Sequence, residues 1–367
     1  MLAAMRTLEL LSAAFGAALI AIATPASAAA QAPPAPCTTP TAACEQWVTL
    51  AGGPARSMVY ASYPLATPNP AIRRALIMVH GTNRNADRYF SSALAAAFLA
   101  GALQDTIVIS PRIASAAGSC KDTLAANEVS WSCTGDSWRS GGTAASQPSL
   151  TSFDFVDELL RTLAKKSTFP NLRLIVVAGH SAGGQFVTRY QMANKVHDTL
   201  GVPVTYVVAN PSSYSWPDAI RPLPVDDAVA AKAKDGWETE KPHTAFQFGP
   251  FDAAKAPGYN AWPFGLADRK SGYTVGMSDE QLKKNLVSRP VTFLLSQVDT
   301  LPLGGFDSSP NAMAQGPTRR ARGEAFFKYI SDTLGAKHKV LIVSECGHND
   351  RCVYTTPEVL PIIFPNP

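Results

Sequence analysis

The segment Gly179-His180-Ser181-Ala182-Gly183 closes the most apolar run in the middle of the chain, Leu172 to Ala178, and leads into a helix-like stretch from Ala182 to about Asn194. A strand running straight into G-x-S-x-G and on into a helix forms a sharp, strained turn that lifts a serine hydroxyl above the end of a sheet. Glycines two before and two after the serine keep the neighbouring backbone and helix from colliding there. Five residues match such a pattern by chance often. A match set between a buried strand and a helix is far more specific, and it requires a sheet beneath the turn with helices packed on it.

The rest of the chain supplies that sheet. Apolar strands are expected at 75–79, 106–109, 172–178, 204–209, 291–295 and 339–343, with helices at 151–166, 182–194 and 319–334. In the first helix Val156, Leu159, Leu160 and Leu163 share one face, and Thr151 with Asp154 resembles a capping box. Near-continuous apolar strands separated by amphipathic helices predict an α/β fold, a mostly parallel central sheet with helices on both faces. A chain of 367 residues, 46% hydrophobic, has enough apolar material for one sizeable core. The rhythm breaks between about 211 and 289, where Tyr214, Trp216, Trp237, Phe246, Phe248, Phe251, Tyr259, Trp262, Phe264 and Tyr273 accumulate among many Gly and Pro residues. An insert of this length needs packing of its own. Its aromatic residues could roof a site and line a cleft, or simply fasten the insert to the sheet.

The N-terminus reads as a secretory signal over 1–28. Arg6 precedes an apolar stretch from Leu8 to Ala23, and Ala26-Ser27-Ala28 offers a small-residue cleavage site. That stretch falls short of the roughly 20 residues a membrane-spanning helix needs, so no stable membrane insertion is expected after cleavage. An Ala/Pro-rich segment follows over 29–45, and the main domain is expected over 46–367. Six cysteines, Cys37, Cys44, Cys120, Cys133, Cys346 and Cys352, fall in three close pairs. In an exported, secreted or periplasmic chain, disulfides 37–44, 120–133 and 346–352 are the economical pairing among 15 possible ones. Metal binding would need clustered Cys/His spacing, which is absent, so no metal is expected. The net charge of +4 is spread out, with basic residues adjacent only in pairs such as Lys165-Lys166 and Arg319-Arg320. Nucleic acid is therefore not an expected partner.

A serine hydroxyl becomes a useful nucleophile when a histidine takes its proton and a carboxylate orients that histidine. On a sheet of this kind the three follow in the order Ser, Asp/Glu, His, each at the C-terminal end of a strand. Of six histidines, His348 alone follows a late strand by a few residues, and Cys346 and Cys352 bracket it. His338 precedes the same strand, and His197, His243, His80 and His180 have other settings. Asp299, directly after strand 291–295, is the expected acid, with Asp307 and Asp350 as runners-up. An oxyanion formed at Ser181 needs two preorganised N–H donors. The amide of Ala182 at the helix start is one. The other is expected in the loop His80-Gly81-Thr82-Asn83, at Thr82. Arg84, Asn85 and Tyr89 continue this loop and could border the substrate, and Trp138 could form one wall of its site, although packing is the plainer use of that tryptophan.

Together these residues resemble the α/β-hydrolase superfamily: Gly179-His-Ser-Ala-Gly183 its elbow, His80-Gly81 its oxyanion loop, Asp299 and His348 its acid and base. The runs Val79-His-Gly-Thr-Asn-Arg-Asn-Ala86, Gly179-His-Ser-Ala-Gly-Gly-Gln185, Asn210-Pro-Ser-Ser-Tyr214 and Tyr259-Asn-Ala-Trp262 are similar to exported bacterial and fungal members. The resemblance covers roughly 72 to 350 and implies the α/β-hydrolase fold, with the aromatic insert after the sixth strand. It further implies a cofactor-free serine esterase acting on carboxylic esters, feruloyl esters and aliphatic polyesters included. No His-Gly-Gly-Gly run is present, which argues against the carboxylesterase branch that uses one. An amidase or peptidase of the same fold, or a non-catalytic binding module, are the alternatives.

Overall fold

The computed structural model describes residues 35–133, 137–224 and 246–366. The expected signal segment 1–28 lies outside these residues, as do the start of the Ala/Pro-rich stretch and, within the insert, Trp237 and His243.

The strands are β1 (Glu45–Thr49), β2 (Arg56–Ala61), β3 (Arg74–Val79), β4 (Thr106–Pro111), β5 (Leu174–His180), β6 (Val204–Ala209), β7 (Ile220–Pro224), β8 (Phe246–Pro250), β9 (Val291–Ser296) and β10 (Lys339–Val343). The helices are α1 (Ala86–Leu99), α2 (Ser152–Leu163), α3 (Ala182–Ala193), α4 (Asp279–Ser288), α5 (Pro310–Met313), α6 (Arg319–Asp332), α7 (Asp350–Thr355) and α8 (Leu360–Ile363). The main sheet has the order β1-β2-β4-β3-β5-β6-β9-β10. From β4 to β10 every neighbouring pair is parallel, whereas β2 runs antiparallel to both β4 and β1.

Period-two alternation sends each central strand into two cores at once. Leu76 and Met78 of β3 join Phe90, Ala93 and Tyr354 under α1, α7 and α8. Ala75, Ile77 and Val79 join Phe153, Phe186 and Phe326 under α2, α3 and α6. Helices thus cover both faces of a mostly parallel sheet, as the continuous apolar strands predicted. Helix α2 starts with the expected capping box, Thr151 accepting from the Asp154 amide while the Asp154 carboxylate accepts from the Thr151 amide. The chain proceeds from β3 to β4 on one side and then returns to lay β5 on the other. The order of strand addition therefore reverses between β3 and β5, and a crevice opens beyond their carboxyl ends.

Helix α1, helix α4, the pair β7–β8 and the short helices α5, α7 and α8 were not foreseen, and neither were two further features. The antiparallel pair β1–β2 is short and at the sheet's edge, where alternation is too brief to stand out. The body also begins before residue 46: the Cys37 amide donates to the Ser62 carbonyl at 2.7 Å, and Cys44 is fully buried. The sulfurs pair as 37–44, 120–133 and 346–352, with Cα–Cα distances of 5.6, 5.9 and 5.8 Å.

The insert has its own small sheet, β7 with β8 antiparallel, and helix α4. Three of its aromatic residues, Tyr214, Trp216 and Tyr273, are buried in the core. Tyr214 stacks on Phe326 of α6 with ring centres 4.5 Å apart, and Trp216 packs on Tyr329 at 5.1 Å. Tyr273 meets Phe153 edge-on, and its hydroxyl joins that of Tyr190 in donating to the buried Asp157 carboxylate, at 2.7 and 2.6 Å. Burial pushes the Asp157 carboxyl up to about 6. Packing, rather than roofing, is what these rings do. Truncating Trp216 to alanine is accordingly expected to lower unfolding free energy by about 3–5 kcal/mol, read by denaturant titration.

Candidate active site

Ser181 sits between β5 and α3 with φ 60° and ψ −121°, a left-handed backbone that a non-glycine residue adopts only when its surroundings impose it. The imposition comes from backbone contact. A Cβ on Gly183 would lie 2.1 Å from the Val79 carbonyl oxygen, and one on Gly179 would lie 2.3 Å from the Gly183 carbonyl oxygen. Only bare backbone lets the first turn of α3 press this tightly against β3 and β5. The Ser181 amide donates to the Ala209 carbonyl at 2.9 Å, which fixes the turn to β6 as well.

Two distant segments converge on the Ser181 hydroxyl. His348 stands in the loop after β10, with its Nε2 2.9 Å from Ser181 Oγ. Its Nδ1 is 2.8 Å from Asp299 Oδ2, in the loop after β9. The tautomer that serves both contacts carries its proton on Nδ1, donating to the carboxylate, and leaves Nε2 to accept from the serine. The disulfide between Cys346 and Cys352 closes a short ring around the histidine. Of the runner-up acids, Asp307 accepts from the Ser309 amide within its own loop. Asp350 is buried and bound by Arg88 at 2.7 Å and Ser92 at 2.7 Å.

Asp299 has a second partner that the sequence reading overlooked. Arg319 Nη1 lies 3.3 Å from Asp299 Oδ1, and neither side chain is more than 1% exposed. The same guanidinium donates from Nε to Ser212 Oγ at 2.8 Å and from Nη2 to the Gly304 carbonyl at 2.9 Å. A signal was present. Arg319, Arg320 and Arg322 all fall in the first turn of α6, where the helix dipole disfavours cations, so other partners must hold them there.

The expected oxyanion donors lie beside Ser181. Among the described residues the amides of Thr82 and Ala182 donate to no other group, and both belong to segments at the mouth of the crevice. His80 is wholly buried, its Nδ1 2.9 Å from the Gly81 carbonyl and its Nε2 accepting from the Ile113 amide at 3.2 Å. It shapes the loop, and burial pushes its pKa down to about 4, which keeps the ring neutral. Arg84 likewise braces this loop, reaching the carbonyls of Ile113 and Ser132. Tyr89 lies beneath, its hydroxyl 3.1 Å from His180 Nδ1. The His180 ring in turn rests against that of His348, 4.6 Å centre to centre, and burial holds it neutral, well below its ordinary value.

Ser181, His348, Thr82, Tyr89 and His180 line a small open cleft of about 220 Å³, with Gly81, Asn83, Asn85, Arg88, Gly304, Gly305 and Asp350 completing its wall. Tyr89 reaches it, as expected. Trp138 does not: it is 3% exposed, its ring packed on His80 at 5.1 Å and near Phe186, so it supports the loop after β3 from behind instead of facing the cleft. None of the lining comes from the described part of the insert. Among the described residues no group of three or more His, Cys, Asp or Glu side chains converges as a metal ion would require.

A family model described as the alpha/beta hydrolase family matches residues 76–360. No curated protein matches the chain in sequence. Among solved structures, the poly(aspartic acid) hydrolase-1 of Sphingomonas sp. KT-1 is similar at 20% identity and a TM-score of 0.56, over 87% of this chain and 98% of that one. A poly(3-hydroxybutyrate) depolymerase from Bordetella parapertussis is similar at 18% identity and a TM-score of 0.55, over 87% and 94%. At such identities the likeness is one of fold. The tight elbow gives a direct test of the geometry: Gly183→Ala is expected to cost about 1–3 kcal/mol of stability through overpacking and to displace Ser181, read as a lowered melting temperature together with lost reactivity at the serine.

Proposed function

The chain belongs to the alpha/beta hydrolase family, and we propose that it is an exported serine hydrolase that cleaves carboxylic esters through an acyl-enzyme. The observation that carries this reading is the unbroken series Ser181 Oγ, His348 Nε2, His348 Nδ1, Asp299 Oδ2, with contacts of 2.9 and 2.8 Å. Ser181 attacks the ester carbonyl while His348 takes its proton, and Asp299 steadies the imidazolium that results. The amides of Ala182 and Thr82 receive the charge that develops on the carbonyl oxygen, where one such donor is worth about 3 kcal/mol of barrier. His348 then returns the proton to the departing alkoxide, and a water molecule repeats the sequence to release the acid. Esters are favoured over amides because an alkoxide leaves more readily than an amine.

Export is supported by the charged and apolar N-terminal pattern together with three disulfides, which persist in oxidising compartments. Among the described residues no helix is long and apolar enough to cross a membrane. Small esters, aliphatic polyesters and feruloyl esters are the substrates to compare first. The fold shared with a poly(3-hydroxybutyrate) depolymerase supports including polyesters. The open cleft, which the described part of the insert leaves uncovered, would let an extended chain lie across Ser181.

Two measurements test the reading. A fluorophosphonate is expected to label the native protein and not the Ser181→Ala variant, and an unlabelled native protein would favour a binding module. Matched p-nitrophenyl esters and anilides are expected to show ester turnover dominant, falling by roughly 10³-fold or more in Ser181→Ala and His348→Ala. Preferential anilide turnover would make the protein an amidase.

A further inference from the structure

We propose that Arg319 is the positioning residue that sets the pH range over which His348 serves as base. The inference rests on the triad assigned above and adds a fourth, charged member. Arginine offers a planar fork of donors and keeps its charge when buried. Here the fork joins three separate parts of the site. Nη1 meets the free oxygen of the Asp299 carboxylate, the one His348 does not use. Nε holds Ser212 in the segment after β6, and Nη2 holds the Gly304 carbonyl. Gly304 and Gly305 in turn form the cleft wall against His348 and Thr82: a Cβ on Gly304 would lie 3.1 Å from His348 Cδ2, and one on Gly305 would lie 3.0 Å from Thr82 Cγ2. One buried cation therefore fixes the carboxylate's orientation and the wall beside the base.

The electrostatic consequence has a definite sign. Protonating His348 creates a cation whose main stabiliser is the negative charge on Asp299. A guanidinium on the other carboxylate oxygen offsets part of that negative charge, so removing it is expected to leave more of the charge to hold the imidazolium's proton.

Other groups around the pair do not substitute for Arg319. On α6, Arg320 spends its guanidinium on the Gln297 carbonyl and Glu324, and Arg322 on the carbonyls of Ser212, Asp307 and Gly316. Asp307 lies in the loop these arginines brace. Tyr214 is fully buried and burial holds it protonated, while His180, on the far side of the imidazole, is neutral. Across the cleft Arg88 and Asp350 pair with each other.

The test is the pH dependence of kcat/KM for a neutral p-nitrophenyl ester, whose lower limb reports protonation of the free enzyme's base. Arg319→Met is expected to move that limb upward by roughly half to one pH unit, whereas Arg319→Lys, which keeps the charge and loses the fork, leaves the limb near the wild-type position while lowering kcat. Arg322→Met, removing a neighbouring buried arginine that does not touch Asp299, is expected to lower stability and leave the limb in place. A limb unmoved in Arg319→Met, or moved equally in Arg319→Met and Arg322→Met, overturns the proposal and makes Arg319 a packing element only. Should the methionine variant not fold, Arg319→Gln, neutral but still able to donate, reads the same limb. Fluorophosphonate labelling of the wild type, done first, separates failure of this inference from failure of the triad reading.

Discussion

The first turn of α3 presses its unadorned backbone onto the ends of three neighbouring strands, and Ser181 takes its position from that contact. Gly183 meets the Val79 carbonyl of β3, Gly184 meets the Ala209 carbonyl of β6, and Gly179 of β5 meets Gly183 itself, each closer than any Cβ would permit. Such packing forces the serine into a left-handed backbone and aims its hydroxyl out of the sheet into the crevice beyond β3 and β5. The same turn leaves the Ala182 amide at a helix N-terminus, where the macrodipole favours developing negative charge. The Ser181 hydroxyl and the Ala182 amide thus take their places from a single steric constraint. Strain at one residue is held by contacts spread over β3, β5, β6 and α3.

Around that turn the molecule buries charge, which water would otherwise solvate well. Asp299 and Arg319 are both almost inaccessible, and such a pair is tolerated only where the remaining lone pairs and donors find partners. Here they do. His348 takes one carboxylate oxygen, and Ser212 and the Gly304 carbonyl take the remaining arms of the fork. The Arg88–Asp350 pair across the cleft is different in kind: Asp350 is hidden and bound also by Ser92, whereas Arg88 is half exposed. Exposure screens such a pair, so its contribution to stability is small beside that of the buried network.

The insert illustrates how composition alone under-determines role. Its aromatic residues suit a cleft and a core equally well, because both reward the same apolar area. The contacts decide between them: Tyr214 and Trp216 bury against α6, Tyr273 against α2 and α3. Trp138 follows the same logic. It lies in the segment before α2, on the edge where the site is, yet its ring is covered by His80, Phe186 and the Arg84 guanidinium. Position along the chain could say which end of the sheet it occupies, not which way it faces.

Local rules were enough to read the strands β3, β4, β5, β6, β9 and β10, the helices α2, α3 and α6, the elbow at Ser181, and the positions of His348 and Asp299 at strand ends. Each of these depends on short-range pattern: hydrophobic periodicity, a glycine where backbone approaches backbone, a residue's distance from the end of its strand. Strands β1 and β2 escaped because β1 is a five-residue, largely exposed edge strand and the apolar run of β2 is confined to Met58–Ala61, which leaves little periodic signal. Arg319 escaped because a charge beside another arginine reads as surface until the fold buries it. Only the tertiary structure could join Arg319 to Asp299 and Gly304, stack His180 on His348, and turn Trp138 away from the cleft. Those relations are set by the packing of segments far apart in the chain, and local sequence carries at most a hint of them, as in the three arginines of the first turn of α6.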